Sequence, residues 1–193
     1  MWRFLGLATI ALPFCKVVRS AGNTVKNRLQ FATLLSWAGE DGLNGRKRLQ
    51  KIVFALQQIG CPLDSHFILH HYGPYSRDVA DICDEMVAAK LVEESQEMGS
   101  AQYSYKLTPK TSKLLAKTDS GGKLKPFEAK AKVLLKENLW TLELGSTILY
   151  YYGQNPDWDD AMTKACEFKK KAKNIERSQR ALTFARELIA SNA

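Results

Sequence analysis

The sequence predicts an α+β fold that is mostly helical, and three observations lead to it. Apolar residues recur at helical spacing in three segments of the first half. A stretch near residues 91–107 replaces that rhythm with strand-like alternation. After residue 126 the helical spacing returns. With 45% hydrophobic and 25% charged residues over 193 positions, the composition is globular, and the chain is long enough to bury a core without staples.

Residues 1–24 form an apolar and basic leader. The run 4–15 has the length of a signal-peptide core and is too short to span a bilayer. Lys16 and Arg19 lie between that run and the small-residue site at Ser20, where positive charge hinders export, so a signal peptide is the less favoured reading beside an apolar helix packed on the core or a segment the fold does not need. The patterned chain begins at residue 25. Residues 25–37 place Val25, Leu29, Ala32 and Leu35 on one helical face, and Gly39-Glu40-Asp41-Gly42 ends the helix. Asn44 is the expected cap of a second helix, whose stripe is Leu49, Ile52, Val53, Leu56 and Ile59 and whose stop is Gly60. Residues 66–72 read as extended, and Gly73-Pro74 as a turn. Ser76 caps a third helix over residues 77–90, with Val79, Ile82, Cys83 and Met86 facing inward. Residues 91–97 and 102–107, the latter alternating aromatic with polar, make a β-hairpin about Gly99-Ser100, and Thr108-Pro109 opens another helix. Three helices, a hairpin and a helix, over 25–118, follow the order of a winged-helix-like core with a β-hairpin wing. Residues 119–126 are a polar linker. Residues 127–193 form a helical C-terminal half of three or four helices, broken at Asn155-Pro156 and packed on the first domain.

Charge is distributed unevenly along a chain of net charge +8. Residues 1–36 carry five bases and no acids, 37–100 six bases and ten acids, 101–136 nine bases and two acids, and 137–193 eight of each. The core is therefore acidic between basic flanks. Four cysteines without C-x-x-C spacing read as reduced thiols, consistent with a cytoplasmic protein.

Two short motifs carry a resemblance. Gly45-Arg46 with Arg48-Leu49-Gln50-Lys51-Ile52-Val53-Phe54, followed by His71-Tyr72-Gly73-Pro74-Tyr75-Ser76 and Leu91-Val92-Glu93, resembles the YwgA-like uncharacterised bacterial proteins. The pattern is more distantly similar to the Panacea antitoxin domain, which also pairs an L-Q-K-hydrophobic helix with a downstream Gly-Pro turn. The resemblance extends to Leu107-Thr108 and to residues 139–147. It implies a winged-helix-like core and, in the antitoxin relatives, the binding and neutralising of a partner protein. Tyr75 stands where the antitoxin pattern more often has an aliphatic residue, and the helical half is additional, so the chain lies nearer the YwgA-like group.

In a DNA reader of this order, residues 77–90 would face the major groove. Here that helix holds Asp78, Asp81, Asp84 and Glu85 against Arg77 and Lys90, and carboxylates are repelled by a polyanion. The expectation is therefore a non-enzymatic regulatory protein that acts by protein–protein binding in an antitoxin-like way, on a possible toxin-like effector. The candidate partner-binding residues are Arg46, Arg48, Tyr72, Tyr75, Arg77, Asp78 and Asp81. Arg46, Lys47, Arg48 and Lys51 open a helix at its positive end, which calls for a reason beyond the helix dipole; partner or phosphate binding beside the Gly45 turn is one, and pairing with the acids of 77–90 is the favoured other. The alternative is nucleic-acid binding by the lysine-rich wing and linker through Tyr103, Tyr105, Lys106, Lys110, Lys113 and Lys117. His66, His70 and His71 lack a carboxylate or cysteine at ligand spacing, so neither metal nor cofactor is expected. Glu143, within an apolar run, calls for a buried partner such as an arginine. No phosphate loop, nucleophile elbow or membrane-spanning segment is present in the sequence.

Overall fold

The computed structural model describes residues 21–96, 102–118, 122–170 and 175–190, with side chains from residue 28 onward. Residues 1–20 of the leader, the hairpin tip at Gly99-Ser100 and the first part of the linker lie outside these residues, while Ala21–Thr24, read as the end of the leader, belong to the first helix. Helix α1 (Ala21–Ser36) buries Phe31, Ala32, Leu34 and Leu35 and is followed by a two-residue strand, β1 (Leu43–Asn44). Next come α2 (Arg46–Gln58), the short strands β2 (Ile68–His70) and β3 (Gly73–Tyr75), and α3 (Arg77–Ala88). Strands β4 (Val92–Gln96) and β5 (Tyr103–Leu107) pair antiparallel in the expected register, Val92 opposite Leu107 and Gln96 opposite Tyr103. Strand β1 adds to the far side of β5, giving a sheet of order β1-β5-β4. Helix α4 (Pro109–Lys117) follows, capped by Thr108 with proline in its first turn.

Two local expectations are corrected. Asn44 does not cap α2, because pairing opposite Ser104 holds it in β1; Gly45, at φ 95°, makes the strand-to-helix turn and donates its N–H to the Tyr103 carbonyl at 2.7 Å. Gly73-Pro74 is not the turn. His71 and Tyr72 reverse the chain, and Gly73–Tyr75 is a strand paired with Ile68–His70. A two-stranded ribbon tolerates Pro74, whose missing N–H would break a ladder inside a wider sheet.

The second half consists of α5 (Glu128–Lys136), α6 (Leu139–Gln154), α7 (Trp158–Lys169) and α8 (Ile175–Ala190). The break between α5 and α6 falls at Glu137-Asn138, where Asn138 accepts from the Trp140 N–H as an N-cap. Helix α6 is buried continuously from Thr141 to Leu149 because α2, α7, α8 and β3 all pack on it. Ala161, Ala165, Ala181 and Ala185, spaced i, i+4 on α7 and α8 and fully buried, let those two helices come close. Helix α2 is likewise buried without interruption from Leu49 to Leu56, so it serves the cores of both halves. Among the described residues no helix is long and apolar enough to cross a membrane.

Gly73 is where the β2–β3 ribbon meets α6. Its φ is 90°, and a Cβ there would lie 2.5 Å from Thr147 Oγ1 and 3.4 Å from the Glu143 carbonyl. Gly39 also has a positive φ, 70°, but open space around it. Gly39→Ala is therefore expected to cost about 1 kcal/mol, from backbone strain alone. Gly73→Ala should cost about 2–4 kcal/mol, from strain plus overpacking. Urea denaturation of the two variants measures the difference, and equal losses would show that α6 simply gives way.

Candidate functional site

The N-terminal half of α2 sends successive side chains to different parts of the molecule. Arg46 donates to the Tyr105 hydroxyl at 2.6 Å and to Glu94 at 2.9 Å, and lies 3.0 Å from Asp84. The hydrogen bond to Glu94, then that to Tyr105, raises the Arg46 pKa. Tyr105, which also donates to Glu94, is pushed up, first by burial and then by that bond. The Lys47 ammonium rests on the Tyr72 ring, 3.5 Å from its centre. Arg48 turns the other way and donates to the carbonyls of Leu135 and Glu137 at the end of α5.

Gln50 and Lys51 point beneath the β2–β3 ribbon. The Gln50 amide donates to the Ser76 carbonyl at 2.9 Å and accepts from the Ser76 N–H at 2.8 Å, and Lys51 Nζ donates to the Pro74 carbonyl at 2.6 Å. The two motifs singled out in the sequence, Leu49-Gln50-Lys51 and Gly73-Pro74-Tyr75-Ser76, are thus the two sides of one buried joint. Lys51 is 2% exposed. Burial, then the charge of Lys169, pushes its pKa down to about 7, and Glu143 opposes the shift. Glu143 has Lys169 Nζ at 3.6 Å, both side chains being buried, so the buried partner expected for this acid is a lysine from α7 rather than an arginine.

Between α2, the β2–β3 ribbon and α3 lies a cavity of about 230 Å³. Arg46, Lys47 and Tyr72, all exposed, stand at its mouth, and buried Leu49, Val79 and Cys83 form its floor. The walls include Tyr75 and His70, whose rings pack with centroids 5.5 Å apart. Among the candidate partner-binding residues, Arg46, Tyr72 and Tyr75 therefore come together. Arg48 is used internally. Asp78 accepts from the His66 N–H at 3.0 Å, and Arg77 pairs with Asp81 at 3.0 Å on the exposed side of α3. Only Arg46, of the cations opening α2, makes an ion pair with α3; Lys47, Arg48 and Lys51 instead take a ring and backbone carbonyls as partners.

The candidate nucleic-acid surface divides in two. Tyr105 is fully buried, with its hydroxyl held by Arg46 and Glu94, so it presents no face for stacking. Tyr103 is exposed and shares a strand face with Tyr105, whereas Lys106 projects to the other side, since alternate residues of a strand point in opposite directions. Lys110, Lys113 and Lys117 remain as an exposed row on α4.

The sequence reading missed Gln50, Lys51, Lys47, His70 and Cys83 as site residues. A signal was available for Lys51: the apolar character of α6 on all sides requires cover from other helices, and α2 is one that can lose its solvent face. Among the described residues no cluster of His, Cys, Asp or Glu suited to a metal occurs. Cys61 and Cys83 are buried thiols pushed up to about 12 by that burial, which keeps them unreactive near neutral pH.

No family model matches the chain. Over 166 residues, covering 85% of this chain and 97% of the relative, it is 28% identical to a protein of Bacillus subtilis (strain 168) named uncharacterized protein YwgA. The resemblance to YwgA-like proteins drawn from the two motifs is thus supported across most of the chain.

An unfolded lysine keeps its proton to about 10.5, whereas Lys51 in the fold releases it near 7. Between those values the unfolded chain holds more protons, so stability contributed by this group rises with pH. From pH 7 to about 8, below the range where cysteines of the unfolded chain titrate, the slope should rise toward ~1.4 kcal/mol per pH unit. Lys51→Met should flatten it. Chemical denaturation at several pH values checks this, and identical slopes in the two proteins would contradict the depressed pKa.

Proposed function

We propose that the chain is a non-enzymatic regulator with a winged-helix-type core that acts by binding another protein, in the manner of an antitoxin and its toxin-like effector. The order of α1, β1, α2, α3, β4 and β5, with the β2–β3 ribbon inserted between α2 and α3 and the sheet arranged β1-β5-β4, supports the winged-helix-type reading. One observation carries the choice of partner. The exposed side of α3, where a DNA reader of this type presents cations, displays Asp81 and Asp84, and beside it opens a concave patch of Arg46, Lys47, Tyr72 and Tyr75. Aromatic and arginine side chains around a concavity are the residue types that anchor protein interfaces. The resemblance read from the Leu49-Gln50-Lys51 helix and the Gly73-Pro74 segment to the Panacea antitoxin pattern belongs to the same proposal.

A second reading, nucleic-acid binding, draws on exposed Tyr103 and on the row of Lys110, Lys113 and Lys117, with Lys106 on the adjoining strand. The two differ in salt response and in nuclease sensitivity.

On the first reading, a stoichiometric protein partner isolated with the full chain from its native host survives nuclease treatment. Tyr72→Ala, at a side chain 52% exposed, should weaken that complex at least tenfold, about 1.4 kcal/mol, and shift the melting temperature by less than about 2 °C. Lys113→Glu should leave it unchanged. Loss of the partner on nuclease treatment, together with affinity for DNA or RNA that falls steeply with salt, would replace this reading by the second.

A further inference from the structure

We propose that the cavity between α2, the β2–β3 ribbon and α3 is a binding site for a small organic monocarboxylate with an apolar or aromatic body, held at its mouth by Lys47. This goes beyond the partner-binding reading and does not depend on it. Charge comes first. Arg46, Lys47 and Lys51 line the cavity and no carboxylate does, although the surrounding stretch of residues 37–100 has more acids than bases. Arg46 already engages Glu94 and Asp84, and Lys51 the Pro74 carbonyl. Lys47 has as its partner the face of Tyr72, a contact that holds the ammonium in place while leaving room for an anion. Lys169 lies behind the joint with Glu143 as counter-charge, so the interior potential on this side is also positive.

The body of the ligand follows from the floor. Leu49, Val79, Ala80 and Cys83 offer hydrocarbon and a neutral thiol. An inorganic anion pressed against them would lose its water without gaining donors, whereas an apolar group gains about 25 cal/mol for each Å² it buries. Tyr72, Tyr75 and His70 add ring faces and edges on which an aryl group can pack. A volume of about 230 Å³ has room for an acid of roughly ten non-hydrogen atoms at the packing density of protein interiors. A largely apolar cavity with a few polar groups fixing orientation is the general form of a small-molecule site.

The test uses the full chain and two probes of matched shape, phenylacetate and its neutral amide, phenylacetamide, titrated by calorimetry and by ligand-detected NMR. The expected result is saturable one-to-one binding of phenylacetate, with the amide at least tenfold weaker. Lys47→Ala, an exposed substitution that leaves the core intact, should lower phenylacetate affinity about tenfold and abolish the preference over the amide. Lys132→Ala, an exposed lysine on α5 paired with Glu128, should change nothing. Ala80→Phe, with its fold verified by circular dichroism, fills the cavity and should remove binding of both probes. The proposal is overturned by equal affinity for acid and amide, by an unchanged affinity in Lys47→Ala, or by no saturable binding up to about 10 mM, a binding free energy of only about −3 kcal/mol.

Discussion

The structure depends on a buried polar joint. The β2–β3 ribbon docks on α2 and α6 through its inner strand β3, while β2 faces outward, and the backbone groups of Pro74 and of Ser76 just beyond it are removed from water with no further strand to bond. Gln50 supplies both a donor and an acceptor to Ser76, and Lys51 supplies a donor to Pro74. A buried backbone group left without a partner costs ~1–3 kcal/mol, so three satisfied together distinguish a ribbon that docks from one that does not. The lysine is an expensive donor, because burial works against its charge. Its depressed pKa reflects that cost together with repulsion from Lys169, and the charge of Glu143 offsets part of it. Gly73 completes the arrangement by letting the ribbon lie against α6 at a distance that a side chain would prevent.

Around this joint the charges of α3 are largely spent inside the fold. Asp84 faces Arg46, Glu85 faces Arg28, Asp81 faces Arg77, and Asp78 holds the approach to β2 through the His66 N–H. Half-exposed pairs of this sort contribute little stability each, up to about 1 kcal/mol. Those that leave the helix act on orientation: Asp84 with Arg46 ties α3 to α2 and Glu85 with Arg28 ties it to α1, whereas Arg77–Asp81 lies within α3. The Arg46–Tyr105–Glu94 group does the same for the three-stranded sheet, with the Arg46 guanidinium also about 6 Å from the centres of the Tyr103 and Tyr105 rings.

The helices of the first half were legible in the sequence because they carry a face at helical spacing, and the stripes on α2 and α3 are buried as read. The hairpin was legible because Tyr103, Tyr105 and Leu107 alternate with polar residues. Strand β1 was not, since two residues leave no period to detect and only pairing with β5 makes them a strand. The reading of Gly73-Pro74 as a turn followed its residue types, whereas docking on α6 selected an extended conformation for them. At the site, the motifs were recognised as segments but not as partners. A hydrogen bond from Gln50 to a residue 26 positions away has no local signature. The same limit applies to Lys169 with Glu143 and to Tyr105, which is buried because β5 is the central strand of its sheet and α1 packs against it.

The uninterrupted burial of α2 from Leu49 to Leu56 bears on how the molecule opens. A helix with one solvent face can detach and keep its neighbours folded; one enclosed on every side cannot. Because α2 contributes to the sheet-bearing half through β1, β3 and α3 and to the helical half through α5 and α6, uncovering it requires both halves to come apart. The polar linker therefore joins segments that share a folding unit, and amide exchange along α2 is governed by global unfolding rather than by local fluctuation.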